Sequence, residues 1–377
     1  MRLEAGRELC PNDLMFAWQS SLQSHRLRVI APLITLLPLW ACVVEPTGGA
    51  GGRALGGAGG SAPLPQGAAG GTGGAPTSVG GAGGSMGDGG GATFDCDLAP
   101  NEPLAVTVIP GLRGYHGLAI DGSGLMFGVD ANWTLVAAGY DGNGGPFLGS
   151  FYAEQLSFAS NGDLIANTEE GLGGVTSAAQ RYTINASIDA YGLLLAATGE
   201  IFVADDYSVQ KVDPTTGAAV VVVSSDPDWE PHSLELSPAL DKLYVGMIGL
   251  EGGQIRVVSL DSDLNATGPL EPFVDVAQDA AWVDGIAADI CGNVYATNFT
   301  TSQLFKITPA GDVSVYLDWS GDPTQYGHAV VFGNGKGGFR EDAIYLPMPY
   351  NGNTVQEVVV GVPGRAFAGE VINQSSR

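Results

Sequence analysis

Basic side chains are scarce in this sequence. Its 377 residues include 15 Lys and Arg against 40 Asp and Glu, a formal net charge of −25, and only 15% of residues are charged. Proteins that bind nucleic acid neutralise phosphates with clustered Lys and Arg, so the composition argues against a nucleic-acid partner. The acidic excess indicates a solvated surface, and we expect a monomer.

The motifs of several enzyme classes are also missing. Residues 96–377 contain no Gly-x-Ser-x-Gly nucleophile elbow, and Cys and His do not occur at zinc-finger spacing. The Gly-rich run 333–338 lacks the Gly-Lys-Ser/Thr ending of a phosphate loop, so we interpret it as a wide hairpin turn. Residues 96–377 contain no helical periodicity longer than a turn or two, which favours an all-β fold.

The first 42 residues have the pattern of an export signal. A basic segment at 25–28 precedes the mostly apolar run 29–40, which is too short to span a bilayer. The segment 39–42 resembles the lipobox of bacterial lipoproteins, in which Cys42 would carry the lipid; ordinary secretion is the alternative. We expect an exported cell-envelope protein, at the outer membrane, that contacts lipid only through this anchor. Met15 is an alternative start.

Residues 43–95 contain 21 glycines and no aromatic residue before Phe94. Such a segment cannot bury enough apolar surface to offset its conformational entropy, so it should be a disordered tether with a reach on the order of 40 Å. The predicted organisation is a lipoprotein signal peptide at 1–42, a disordered Gly-rich tether at 43–95 and one folded domain at 96–377.

One short pattern recurs through the folded domain. In the copy at 284–298, apolar residues alternate along a first strand, Gly292 and Asn293 form a tight turn, and a second strand returns. The copies begin 37 to 52 residues apart, each at a polar residue that we call its head: His116, Glu154, Tyr191, His232, Asp284 and His328. This period predicts an all-β, six-bladed β-propeller. Residues 105–109 would close the ring as the outer strand of the last blade.

The heads are the candidate functional residues. The innermost strand of each propeller blade lines the central channel, so the heads would face one another at one rim. Three of the four histidines are heads. Imidazoles with carboxylates suit zinc, manganese or iron better than calcium, which prefers oxygen ligands. We therefore predict a divalent metal held by His116, Glu154, His232, Asp284 and His328; a water-lined channel is the alternative.

A second set of polar residues ends the return strands: Asp130, Thr168, Asp205 and Asn298. These side chains could contact a ligand, but capping of the strand ends is the favoured interpretation.

Cys96 and Cys291 are the two cysteines of the folded domain, because Cys10 lies in the leader and Cys42 is the lipidation candidate. An exported domain folds where disulfides persist. We predict that Cys96 and Cys291 pair and pin the N-terminal segment across the propeller; two free thiols are the alternative.

Two stretches carry a resemblance to a known family. The residues Asp284-Gly-Ile-Ala, with Gly-Asn-Val-Tyr after them, and Pro231-His-Ser-Leu-Glu-Leu-Ser-Pro resemble the senescence-marker-protein/gluconolactonase family. That family consists of six-bladed propellers with a channel metal that hydrolyse sugar lactones and other lactones. The resemblance implies that Asp284 is a metal ligand and the catalytic base. His232 stands where the family usually has Asn and His116 where it has Glu, which implies a different metal or activity.

Two further functions stay open. The three histidines are similar to the zinc ligands of the NHL-type lyase that cleaves hydroxyglycine peptides, and Tyr191 would then be the base. A non-catalytic propeller could instead bind a small molecule, glycan or protein at one rim. The function that the sequence favours is metal-dependent hydrolysis of a small lactone or ester.

Overall fold

The computed structural model describes residues 94–249, 253–277, 281–322 and 325–365, all within one compact unit, Ser85–Arg377. The predicted signal peptide with Cys42, and the tether apart from residues 94 and 95, lie outside the described residues. Within those ranges, no helix has the length and apolar character needed to cross a membrane.

The described chain is almost entirely β-structure. A short 3-10 turn, Cys96–Leu98, precedes the first strand, β1 (Ala105–Ile109). Three four-stranded antiparallel sheets follow in chain order. They consist of β2 (Leu118–Ile120), β3 (Met126–Val129), β4 (Leu135–Ala138) and β5 (Gly144–Leu148); β6 (Leu156–Phe158), β7 (Leu164–Thr168), β8 (Gly171–Val175) and β9 (Arg181–Asn185); and β10 (Ala190–Leu195), β11 (Ile201–Asp205), β12 (Ser208–Val212) and β13 (Ala219–Ser224).

The next eight strands form one continuous sheet. They are β14 (Trp229–Leu236), β15 (Lys242–Gly249), β16 (Gly253–Ser259), β17 (Glu271–Ala277), β18 (Ala281–Ala288), β19 (Val294–Asn298), β20 (Gln303–Ile307) and β21 (Val313–Asp318). Strands β15 and β18 join its two halves by pairing Ile248 with Trp282 and Gly249 with Ala281.

The last sheet contains both ends of the described domain. It consists of β22 (Val331–Phe332), β23 (Ala343–Met348) and β24 (Thr354–Val359), with β1 on its outer edge. Ala105 lies opposite Val359 and Ile109 opposite Val355. The prediction that residues 105–109 supply the outer strand of the last sheet is therefore confirmed.

The hairpin turns follow from the sequence chemistry. The carboxylate of Asp121 accepts the backbone N–H groups of Ser123 and Leu125, and Asp289 accepts those of Cys291 and Asn293. A glycine in the left-handed region completes each turn, with φ of 87° at residue 124 and 80° at residue 292. An Asx turn followed by glycine is a favoured route from one antiparallel strand to the next.

The core lies between neighbouring sheets. Phe202 from β11 packs in one buried cluster with Leu243 and Val245 from β15. Leu118 from β2 shares another cluster with Tyr345 from β23, which joins the first sheet to the last. Sheets that pack face to face around a closed circuit make a propeller-like arrangement.

A disulfide and a hydrogen bond fasten the N-terminal segment. Cys96 is bonded to Cys291, 195 residues later in the chain, with an S–S distance of 2.01 Å. The ammonium group of Lys306 donates to the carbonyl of Pro100 over 2.6 Å. The segment before β1 is thereby held against the β18–β21 half of the eight-stranded sheet.

Candidate site at the mouth of the central channel

Three of the six heads are displaced from their strands by β-bulges. The register shifts at Tyr191 between β10 and β11, at His232 between β14 and β15, and at Asp284 between β18 and β19. A bulged residue opposes no residue of the partner strand, so its side chain can be aimed away from the sheet. The heads His116, Glu154 and His328 lie shortly before β2, β6 and β22 instead.

Glycines after three heads allow the innermost strands to approach closely. A Cβ atom on Gly117 would lie 2.8 Å from Cα of Gln155 and 2.9 Å from the carbonyl oxygen of Glu154. A Cβ atom on Gly192 would overlap the carbonyl oxygen of His232, and one on Gly285 would overlap that of His328. Each glycine therefore faces the backbone of the next head, which brings consecutive heads together.

Asp284 lies between two imidazoles. Its Oδ1 is 2.9 Å from Nε2 of His232, and its Oδ2 contacts Nδ1 of His328; all three side chains are buried. Burial alone would raise the pKa of Asp284, but the charges and hydrogen bonds of His328 and His232 together hold it well below its usual range. Burial alone would lower the pKa of His232, yet its interactions with Asp284 raise it above the ordinary value. The ring of Tyr191 lies 5.0 Å from that of His232.

His116 and Glu154 form a second pair beside this group. The ring of His116 lies 4.5 Å from that of His328, and its Nδ1 is 3.2 Å from Oε2 of Glu154. Burial and, to a smaller extent, the charge of His328 lower the pKa of His116 to about 3. Burial also raises the pKa of Glu154 to about 7, against the opposing charge of His232. Below neutral pH the imidazole is thus neutral and the carboxyl group protonated, so the pair can share one proton.

The raised pKa of Glu154 has a measurable consequence for stability. In the unfolded chain this carboxyl group ionises near 4.5, whereas in the folded protein it ionises near 7. Its contribution to stability is therefore complete below pH 4.5 and is lost as pH rises to about 7. We expect the free energy of unfolding of wild type, relative to that of Glu154→Gln, to fall by on the order of 2 kcal/mol across that range.

Urea denaturation of metal-free protein at several pH values measures this difference. Gln is the matched replacement, because it keeps the shape of the protonated acid and can still donate a hydrogen bond to His116. Because the pKa of His116 is lowered, its imidazole makes the free energy of unfolding rise with pH below 6.5. This contribution is present in both proteins and cancels in the comparison. Parallel stability curves for the two proteins would contradict the raised pKa.

The donor atoms allow a test of the predicted metal site. Among the described residues, no group of three or more His, Cys, Asp or Glu side chains has a metal-holding geometry. However, Nδ1 of His232 and Nε2 of His328 are buried without a hydrogen-bond partner, and the other nitrogen of each ring faces Asp284. A carboxylate behind an imidazole is the usual arrangement that orients a histidine ligand. Each of these two nitrogens is therefore a donor of the type that divalent transition metals prefer.

A cavity and a group of aromatic rings adjoin the heads. The cavity, of about 320 Å³, is lined by residues that follow the heads, including Gly192, Ser233 and Gly285. The aromatic rim is defined here as Tyr115, Trp133, Tyr152, Phe299, Tyr326 and Tyr350. It meets the histidines at two points: the Tyr115 ring lies 4.7 Å from that of His116, and the Phe299 ring 4.8 Å from that of His328.

The structure brings all six heads into one chain of contacts, whereas the second polar set serves the turns. Asp130 accepts the N–H groups of Asn132 and Thr134, Thr168 and Asn298 accept N–H groups from their own turns, and Asp205 accepts from Gln210. Sequence reasoning missed the aromatic rim. Its local signals are Tyr115, directly before a head, and Tyr152 and Tyr326, each two residues before a head.

No protein-family model and no curated protein matches the chain. Several solved structures resemble it in fold. A gluconolactonase from Xanthomonas campestris has 13% identity and a TM-score of 0.55 over 68% of this chain and 89% of its own. The calcium-binding protein regucalcin from Agrobacterium tumefaciens has 14% identity and a TM-score of 0.56 over 70% and 96%. An auxiliary nutrient binding protein from Bacteroides thetaiotaomicron has 9% identity and a TM-score of 0.52 over 66% and 69%.

At these identities the likeness concerns the fold. The chain has the propeller-like architecture of gluconolactonase and regucalcin structures, and the same architecture also carries a nutrient-binding protein.

Proposed function

We propose that the channel mouth is the active site of a metal-dependent hydrolase of small lactones or esters. In this proposal the eight-stranded sheet represents two blades of a six-bladed propeller, and His232 and His328 hold the divalent metal. The supporting observation is the Asp284 carboxylate between two imidazoles, each with one buried ring nitrogen that has no partner. A bound divalent ion would polarise the carbonyl oxygen of the substrate.

Glu154 is the proton carrier in this proposal. Its pKa of about 7 suits a group that must both accept and return a proton near neutral pH. The oxygen of a water molecule bonds to the carbonyl carbon while Glu154 accepts one of the water protons. The C–O bond to the alkoxy group then breaks, and Glu154 returns that proton to the leaving oxygen. Neutral His116, 3.2 Å away, holds the carboxyl group in place.

Asp284 takes an orienting role in the proposal rather than that of the base. Both carboxylate oxygens face imidazoles, and the pKa far below its usual range makes this group a poor proton acceptor at neutral pH. Tyr191 lies beside His232 and would contact the substrate through its hydroxyl group.

Metal titration of the full-length protein tests the proposal. We expect EDTA-treated protein to bind one equivalent of zinc in calorimetry, and His232→Ala with His328→Ala to abolish that binding. Hydrolysis of a panel of lactones and esters should depend on the added zinc. Tyr207→Ser, at an exposed ring in the turn after β11, is the control and should leave zinc binding intact.

The absence of zinc uptake, together with turnover that EDTA does not affect, would overturn the proposal. Binding of a panel compound without turnover would support the alternative of a binding propeller, which the aromatic rim favours. We also propose, from the sequence pattern alone, that the protein is exported and anchored through Cys42.

A further inference from the structure

Trp133 has an unusual backbone conformation for a bulky residue. It lies in the turn between β3 and β4 with φ of 56°, in the left-handed region that favours Gly, Asn and Asp. Its N–H donates to the carbonyl of Asp130 over 3.0 Å, and its own carbonyl accepts from Phe151 over 2.7 Å. The surrounding turn therefore holds Trp133 in a conformation that costs free energy for this residue.

A second turn of this kind has a small residue, not an aromatic one, at the strained position. Between β19 and β20, Ser302 has φ of 53°, donates to the carbonyl of Phe299 and accepts from Trp319. The two turns thus share their backbone hydrogen bonds and their strained position. Because Ser302 forms this turn, the fold does not require tryptophan at the equivalent position in the β2–β5 sheet.

The location of Trp133 indicates what its ring could contact. The ring lies 4.6 Å from that of Tyr152 and 5.3 Å from that of Tyr115, which in turn adjoins His116. These neighbours are half-buried, whereas 36% of Trp133 is exposed. Two tyrosines therefore contact the indole and leave part of it exposed, with Tyr115 between it and His116.

We propose that Trp133 is a specificity residue that stacks against a flat ring of the substrate at the channel mouth. An indole binds the π-face of an aryl group or the C–H face of a sugar ring by the same dispersion and electrostatic attraction. The substrate class is then a ring-bearing ester or lactone rather than a small open-chain ester. This inference rests on the proposed hydrolase function.

The test uses the full-length protein with Trp133→Ser, which copies Ser302, and Trp133→Phe, which keeps a ring. Substrates are phenyl acetate, glucono-δ-lactone and the ring-free ethyl acetate. Trp133→Ser should raise KM about tenfold for whichever ring compound stacks, without a change in kcat or in KM for ethyl acetate. Trp133→Phe should stay within about threefold of wild type. The control Tyr207→Ser removes another exposed ring, from the turn after β11, and should change nothing.

Urea denaturation separates stacking from packing. Because Ser302 adopts the same backbone conformation in this fold, Trp133→Ser adds no backbone strain, and its denaturation midpoint should stay close to that of wild type. A lower midpoint with equal losses for all three substrates would assign Trp133 to packing and overturn the inference, as would an unchanged KM for both ring compounds. If wild type hydrolyses none of the three, the hydrolase proposal is decided by zinc titration and by the wider panel of lactones and esters. Calorimetric affinities for the same compounds then decide whether stacking occurs, by the same tenfold criterion.

Discussion

Asp284→Asn is expected to lower the zinc affinity of the protein about 10- to 100-fold, and zinc-dependent hydrolysis with it. The carboxylate accepts from His232 through one oxygen and faces His328 with the other. An asparagine oxygen can accept from one imidazole, but its NH₂ group cannot accept from the second. One ring would therefore lose its orientation and its tautomer, although no direct ligand is removed. Calorimetric titration of EDTA-treated protein with zinc measures the change.

Asp289→Asn is the matched control for this substitution. Asp289 is also buried and belongs to the same hairpin, but its carboxylate serves the turn at the other end of β18. The control should lower stability without a change in zinc affinity. If both variants bind zinc equally well, Asp284 does not orient the metal-binding imidazoles.

Gly285→Ala is expected to lower the free energy of unfolding by about 3 kcal/mol, the upper end of the usual cost of overpacking a core. It should also weaken zinc binding at the site. The added Cβ would overlap the carbonyl oxygen of His328 and lie 2.7 Å from Cα of Ala329. Neither is a flexible side-chain end, so one innermost strand must move away from the other. The hydroxyl of Thr297 fixes the contact further, since it donates to the carbonyl of His328 over 2.5 Å.

Urea denaturation and zinc titration of the same sample measure both effects. Gly145→Ala, in β5, is the control because nothing lies within 4 Å of its added Cβ. That variant should be neutral or slightly more stable, by about 0.4–1 kcal/mol. If Gly285→Ala is as stable as wild type, the innermost strands can separate without cost, and Gly285 is not needed for their close approach.

Much of the architecture was predictable because it depends on local pattern. The recurring hairpins, with their Asp and Gly turns, indicated antiparallel sheets at regular spacing, and the surplus strand at 105–109 indicated how the last sheet is completed. Three histidines occur at the head position of the recurring pattern, which indicated that their side chains belong to one site. The recurring glycine after His116, Tyr191 and Asp284 was visible in the sequence, although its cause, the close approach of the next strand, was not.

The details of the site were not predictable, because they depend on contacts between residues far apart in the chain. Asp284 was predicted as a metal ligand from its position as a head and as the base from the resemblance, but the structure places its carboxylate between His232 and His328, 52 and 44 residues away. The high pKa of Glu154 is a consequence of burial, which no local pattern encodes. The aromatic rim combines rings from several sheets.

The sequence by itself determined that this domain is built from repeated β-hairpins with a polar residue at the start of each innermost strand. Periodicity and turn chemistry act over a few residues, so one chain suffices to reveal them. Only the tertiary structure decided which polar atoms meet, which rings flank them and which protons are shared. Those properties arise when strands from different sheets pack within a few ångströms of each other and exclude water from the groups between them.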